Sequence, residues 1–364
     1  MPKSTKYLLV GSTEAYSGKS ATILGVAHQL QQRGLDIAYG KPIGTCSSGA
    51  STQATDEDVQ FIAQTLNLPD DRLRPTLLSL SEDATKQRLL GQDVQDYRAA
   101  LEKYLQIQGG DLAILEGPGT LSEGQLFELP LAAVAQIVDA SVLLVSRLGA
   151  MLSVDSVLEA KQQLGHRLVG TLINDIPDEQ LDIAQTVVKP FLERQNIPVL
   201  GLLPRSKLLL SVTVDELVHQ LDAKVIGRHA RLDLLVEELS IGAMNVSSAL
   251  EYFRKGSNMA VVTGCDRTDI QLAALETSTH CLILTGHLTA PDPRVLNRAE
   301  ELEVPILSVD RDTLTTVEII ENTLGQVRLQ EPAKVHCIYQ MMDRYFDIER
   351  LLSQLSLAPA ASLP

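Results

Sequence analysis

Short apolar runs and amphipathic stretches alternate along the first 221 residues. Tyr7 to Val10, Leu112 to Leu115, Val142 to Val145, Leu168 to Ile173 and Val199 to Leu203 have the pattern of strands buried on both faces. Between them lie helical periodicities such as Ala21 to Gln31, where Ile23, Leu24, Ala27 and Leu30 share one face. The alternation predicts an α/β fold with a mostly parallel sheet flanked by helices. Ligands of such sheets sit outside the carboxyl ends of the strands. Gly11, Glu116, Ser146 with Arg147, Asn174, and Pro204 with Arg205 each follow a strand directly.

A second, smaller α/β pattern occupies residues 222 to 328. Its strands are Met259 to Thr263, Cys281 to Leu284 and Pro305 to Val309, separated by helices at Ser247 to Phe253, Ile270 to Leu275, Pro293 to Leu302 and Thr316 to Leu324. The remaining segment, 329 to 364, repeats Ile338, Met341, Tyr345, Ile348, Leu352 and Leu355 at steps of three and four, an amphipathic helix with a heptad-like seam. Such a seam packs on its own protein or makes an oligomer, and a dimer is the expected assembly. The tail beyond it is expected to fray.

Charge narrows the partners. The chain carries a formal charge of −15 without a local basic patch, which argues against nucleic acid and anionic membrane. No apolar stretch has the length of a membrane span, and the first residues lack the apolar segment of a signal peptide, so a cytoplasmic location is expected. Cys46, Cys265, Cys281 and Cys337 form no C-x-x-C pair and read as small hydrophobes.

The chemistry concentrates after the first strand. Gly18-Lys19-Ser20 opens the first helix, and the helix N-terminus, its free N–H groups and a lysine together suit a phosphate. The triplet alone is weak, since chance supplies it in roughly one chain in five of this length. The usual G-x-x-x-x-G-K-[ST] loop wants glycine at position 13, where this chain has Thr13; Gly11 stands two residues earlier. A phosphate-bound magnesium ion would need the Ser20 hydroxyl and carboxylates from neighbouring strand or helix ends. Glu116, before Gly117-Pro118-Gly119, and Asp58, which with Asp56 and Glu57 opens the helix Val59 to Leu66, are the candidates, whereas Asp56 reads as a helix cap. Lys41-Pro42 follows the second strand, and the nearby hydroxyls of Thr45, Ser47 and Ser48 with Gly49 favour an anion-binding role for Lys41.

In order and spacing, Gly18-Lys19-Ser20, Lys41-Pro42, Asp58, Glu116-Gly117-Pro118-Gly119, Arg147-Leu148-Gly149 and Asn174 resemble the dethiobiotin synthetases and their relatives over residues 5 to 205. The resemblance implies a P-loop NTPase-type domain that binds ATP and Mg2+. It implies phosphate contact by Lys19, with Lys41 as a second catalytic lysine, and a metal held by Ser20, Asp58 and Glu116. The nucleotide set is then Thr13, Gly18, Lys19, Ser20, Ala21, Asn174 and Pro204, with Asn174 reading the adenine. Arg147 stands where a lysine is more usual in that family. Gly264-Cys265-Asp266-Arg267-Thr268-Asp269-Ile270 is similar to the motif of the DRTGG domain, with Asp269 and Ile270 in place of its two glycines. Asp266, Arg267 and Thr268 form a candidate ligand site there; in the alternative structural reading Asp266 caps the following helix and Arg267 joins an internal ion pair.

The two domains in this order resemble the N-terminal half of long-form phosphate acetyltransferases, whose acetyl-transfer domain is expected to be absent here, as is that activity. Three functions follow. The first is an ATP- and magnesium-binding regulatory or sensory protein that acts through a partner such as a metabolic enzyme, with at most weak ATPase activity. The second is an ATP-dependent carboligase of the dethiobiotin synthetase type. The third is an assembly scaffold with a vestigial P-loop.

Overall fold

The computed structural model describes residues 5–45, 57–104, 110–148, 152, 154–227, 231–286, 291–325, 329 and 331–357. The chain divides into two units, Met1–Arg205 with Leu329–Pro364, and Ser206–Arg328.

The main sheet of the first unit has seven strands: β1 (Lys6–Ser12), β2 (Ile37–Gly40), β3 (Leu73–Arg74), β4 (Leu112–Glu116), β5 (Ser141–Arg147), β6 (Leu168–Ile176) and β7 (Val199–Pro204). They lie in the order β3-β2-β4-β1-β5-β6-β7, every neighbouring pair parallel. Leu8, Leu9 and Val10 of the central strand are fully buried, as their unbroken apolar run requires when helices cover both faces. Register gathers the strand ends along one edge: Val10 pairs with Glu116, Ser12 with Val145, Arg147 with Asn174 and Ile176 with Pro204. The two-residue strand β3 is too short to leave a period in the sequence.

Helix α1 (Lys19–Gln32) buries more than the one face its periodicity predicts. Gly25 and Gln29 are inside along with Ile23, Leu24, Ala27 and Leu30. The other side is covered by the C-terminal helix Pro332–Tyr345. A Cβ built on Gly25 would lie 2.3 Å from Met342 Cγ, so glycine there permits the close approach. His28 stacks on Tyr339 with ring centroids 3.7 Å apart, and Gln29 donates to Asp343 across 2.8 Å.

The tail is two helices where one was expected. Phe346 is extended and forms a bridge to Gly201, the Asp347 N–H donates to Leu200 O, and Asp347 caps the second helix, Ile348–Gln354. Ile338, Met342 and Phe346 turn inward at steps of four in place of Met341 and Tyr345, while Ile348, Leu352 and Leu355 are buried as the seam expects. The seam is thus spent on the chain's own first unit.

Glu193 and Arg350 fasten the last helix by two bonds of 2.6 and 2.7 Å. The Arg350 guanidinium holds the Glu193 carboxyl below the usual glutamate range. A carboxyl with a lowered folded pKa stabilises above its unfolded pKa, about 4.3, and that contribution is lost as pH falls through the folded value. Glu193→Gln should therefore cost about 1 kcal/mol at pH 7 and flatten the acid limb of the stability curve. Thermal unfolding of both proteins between pH 3 and 7 measures it; equal slopes below pH 5 would refute it.

The second unit has strands β8 (Lys224–Ile226), β9 (Glu238–Ile241), β10 (Met259–Gly264), β11 (Thr279–Thr285) and β12 (Ile306–Ser308), ordered β8-β12-β11-β10-β9 with only β8 antiparallel. Val261, Leu282 and Leu284 face one core, and Ala260, Val262 and Ile283 the other. The division falls at Arg205 and not near residue 221. The helix Val214–Leu221 places Val214, Leu217 and Leu221 in the second core beside Val317 and Ile320, so its apolar face assigns it to the second unit. Among the described residues no helix is long and apolar enough to cross a membrane.

Candidate functional site

Five of the predicted residues meet at the carboxyl edge of the first sheet. Glu116 ends β4 almost fully buried. Its Oε1 accepts from the Ser20 hydroxyl at 3.3 Å and its Oε2 from the Tyr39 hydroxyl at 2.9 Å. Lys19 Nζ donates to Ser12 Oγ at 3.0 Å, and Ser12 in turn donates to Gly119 O at 2.8 Å. Lys41, 6% exposed, pairs with Asp58 Oδ2 at 3.0 Å. Burial pushes the Lys19 pKa down, while Glu116, Glu123 and Asp58 pull it back up and Lys41 opposes them. The lysines and carboxylates therefore lie within one another's field.

The loop before α1 explains the absent glycine. Thr13 continues the strand pairing, its N–H donating to Val145 O and its hydroxyl to Ser146 Oγ, and its backbone is not left-handed. Nothing there requires glycine. The left-handed positions come later, at Tyr16 (φ 54°) and Gly18 (φ 97°). At Gly18 a Cβ would also lie 2.4 Å from Asn174 Nδ2, so conformation and space both require glycine. Thr22 donates to Gly18 O, which secures the first turn, and Ala21 sits half-buried in that turn.

Asn174 and Pro204 stand on the neighbouring strands β6 and β7. Asn174 Nδ2 donates to Ser17 O at 2.9 Å. Arg147 donates to Tyr16 O at 2.6 Å and lies 3.8 Å from Asp175, which also pairs with Arg205 at 2.8 Å. Ser12, Tyr39 and Glu123 were not singled out in the sequence. Ser12 and Tyr39 are buried polar positions inside apolar strands, a faint signal. Glu123, whose carboxylate accepts the Gly119 N–H, lies in a loop with no period to mark it.

The residues fit a bound phosphate and a hard cation. Among the described residues nothing accepts a hydrogen bond from the N–H groups of Ser17, Gly18 or Lys19, and the buried Ser17 hydroxyl has no hydrogen-bond partner. Such donors suit anion oxygens. The oxygens of Ser20, Glu116 and Asp58 suit magnesium. Ser47, Ser48, Gly49, Asp56 and Gly149 lie outside the described residues.

In the second unit Asp266 does not cap the helix Thr268–Leu275. The helix starts after Arg267, which takes the cap position without a side-chain bond, and Asp266 stays exposed. The Arg267 guanidinium donates to Met244 O at 2.8 Å and to Oδ1 of the exposed Asp269 at 3.3 Å. Thr268 opens the helix.

The sequence profile described as "AAA domain" matches residues 6–213. The chain belongs to the AAA domain family. A second profile, "DRTGG domain", matches residues 216–323. Among curated proteins, the phosphate acetyltransferase of Nitratidesulfovibrio vulgaris is 27% identical across 96% of this chain and 51% of its own length. That of Synechocystis sp. is 24% identical across 96% of this chain and 52% of its own. This chain thus spans about half the length of these relatives. A solved structure of the CBS and DRTGG domains of the Clostridium perfringens pyrophosphatase regulatory region aligns with 42% of this chain and 74% of its own at 20% identity and a TM-score of 0.29.

Proposed function

We propose that this protein is an ATP- and magnesium-binding regulatory module whose P-loop unit signals nucleotide state to a partner protein. The observation that carries the reading is the Ser20–Glu116 contact at 3.3 Å directly beside Lys19: a hydroxyl and a carboxylate converge where a P-loop nucleotide needs its metal. The bound metal would neutralise phosphate charge. Lys19 would reach the phosphate oxygens, Tyr39 would keep Glu116 turned towards Ser20, and Lys41 would stay oriented by Asp58. Similarity to phosphate acetyltransferases over about half of their length, with a DRTGG domain following the AAA domain, supports a regulatory role.

Calorimetric titration with ATP, with and without magnesium, tests the nucleotide part. Wild type should bind about 10-fold more tightly with magnesium, and Glu116→Gln should lose most of that difference while still binding metal-free ATP. Equal magnesium dependence in the two proteins would exclude Glu116 as a ligand. Turnover measured in the same samples addresses the carboligase reading, since stimulation by a diamine and bicarbonate would favour a synthetase. Partner capture from native extract with and without ATP tests the signalling part, and a partner set indifferent to nucleotide would sink it.

A further inference from the structure

The resemblance to dethiobiotin synthetases implies that Asn174 reads the adenine, but its geometry points to a different task. Its Nδ2 donates to Ser17 O at 2.9 Å, and Arg147 donates to the preceding carbonyl, Tyr16 O, at 2.6 Å. Two consecutive loop carbonyls are thus held from the side of β5 and β6. All peptides here are trans, so each N–H points opposite to the carbonyl of its own peptide unit. Fixing Tyr16 O turns the Ser17 N–H away from Arg147, and fixing Ser17 O turns the Gly18 N–H away from Asn174. These are the donors that lack partners among the described residues. Left-handed Tyr16 and Gly18 on either side of Ser17 give the alternating backbone that forms an anion-binding concavity.

We propose that Asn174 and Arg147 are positioning residues of the phosphate loop. They hold the loop's carbonyls outward so that the N–H groups of Ser17 and Gly18 face a polyphosphate. Asp175 restrains Arg147 in turn, at 3.8 Å, and is itself anchored by Arg205. This external bracing substitutes for a tighter loop: with no left-handed residue at position 13, the turn is made at Tyr16 and Gly18 and is held open from neighbouring strands. The assignment rests on the nucleotide-binding reading above and deepens it, because it makes recognition at this end of the site a matter of phosphate and not of base.

The test uses the full chain and three probes: inorganic tripolyphosphate, ATP and GTP, each with magnesium. Asn174→Ala, Asn174→Leu, which keeps size without a donor, and Arg147→Gln should each weaken all three probes by a similar factor, about 5- to 10-fold. The ATP-to-GTP preference of the wild type should stay unchanged. Matching unfolding temperatures, and agreement between the alanine and leucine variants, separate loop positioning from general loss of fold. If Asn174→Ala leaves tripolyphosphate binding intact and alters only the ATP-to-GTP ratio, Asn174 reads the base and the proposal fails. If the wild type binds ATP and tripolyphosphate and all three variants match it, the proposal fails while the nucleotide reading stands. A wild type that binds neither probe overturns both.

Discussion

Lys19→Ala is expected to lower Mg-ATP affinity about 100-fold while changing the unfolding temperature little. The lysine heads α1 beside Ser20 and, among the described residues, bonds only to Ser12 Oγ, a neutral partner, at 3.0 Å. Its charge is therefore not consumed by a close ion pair and remains available to an incoming phosphate. Two charge-assisted hydrogen bonds to phosphate oxygens are worth about 3 kcal/mol, or about 100-fold in affinity. Stability should move by less, because burial already opposes the charged form and removing it relieves that cost. The sign also fixes the pH dependence. Burial depresses the pKa of Lys19, so wild-type affinity should decline on the alkaline side before an ordinary lysine would lose its proton, and the alanine variant should show no such decline. Binding isotherms from pH 7 to 10 measure both effects, and a variant that binds as tightly as wild type would remove Lys19 from the phosphate site.

Removing residues 329–364 should leave the P-loop unit unable to fold. Ile338, Met342, Phe346, Ile348, Leu351, Leu352 and Leu355 of that segment are all buried. At about 1.5–3 kcal/mol each they represent on the order of 10–20 kcal/mol of burial, an upper bound. That matches or exceeds the whole stability of a typical domain, about 5–15 kcal/mol. Polar anchors add to it: Lys6 Nζ of β1 donates to Leu355 O and Ser356 O at 2.6 and 2.8 Å. A graded version is Gly25→Leu, whose side chain would collide with Met342 and should cost about 2–3 kcal/mol. Circular dichroism and thermal unfolding of the truncated and full chains decide the matter. A truncated protein with an unchanged cooperative transition would show that the C-terminal helices are dispensable.

What the sequence disclosed follows the physics of each element. β1, β4, β5, β6 and β7 were legible because strands covered on both faces must be apolar throughout, and the site followed because their ends carry the first polar residues. β9 was missed: Glu238–Ile241 is only partly buried and carries no unbroken apolar run. The tail misled because steps of three and four assume one unbroken helix. The extended Phe346 ends the first helix, a tertiary event dictated by pairing with Gly201. Within the site, Lys19, Ser20 and Glu116 were readable from motif and strand end. The hydrogen bonds from Asn174 and Arg147 to the loop were not, since they depend on the lateral order of strands that lie far apart in sequence.

The division of the chain also bears on its synthesis. The P-loop unit is completed by residues after 328, so a ribosome must make the whole of Ser206–Arg328 before the helices that cover α1 exist. At about 5–20 residues per second, the 159 residues from 206 to 364 (364 − 205) take roughly 8–30 s. During that interval α1 is exposed along the face that Gly25 and Gln29 present to the helix Pro332–Tyr345, while the second unit is free to fold first. The candidate site, although encoded first, is thus secured only after the second unit has been made, and nascent chains arrested before residue 329 should be cut by protease within the P-loop unit and spared within the second.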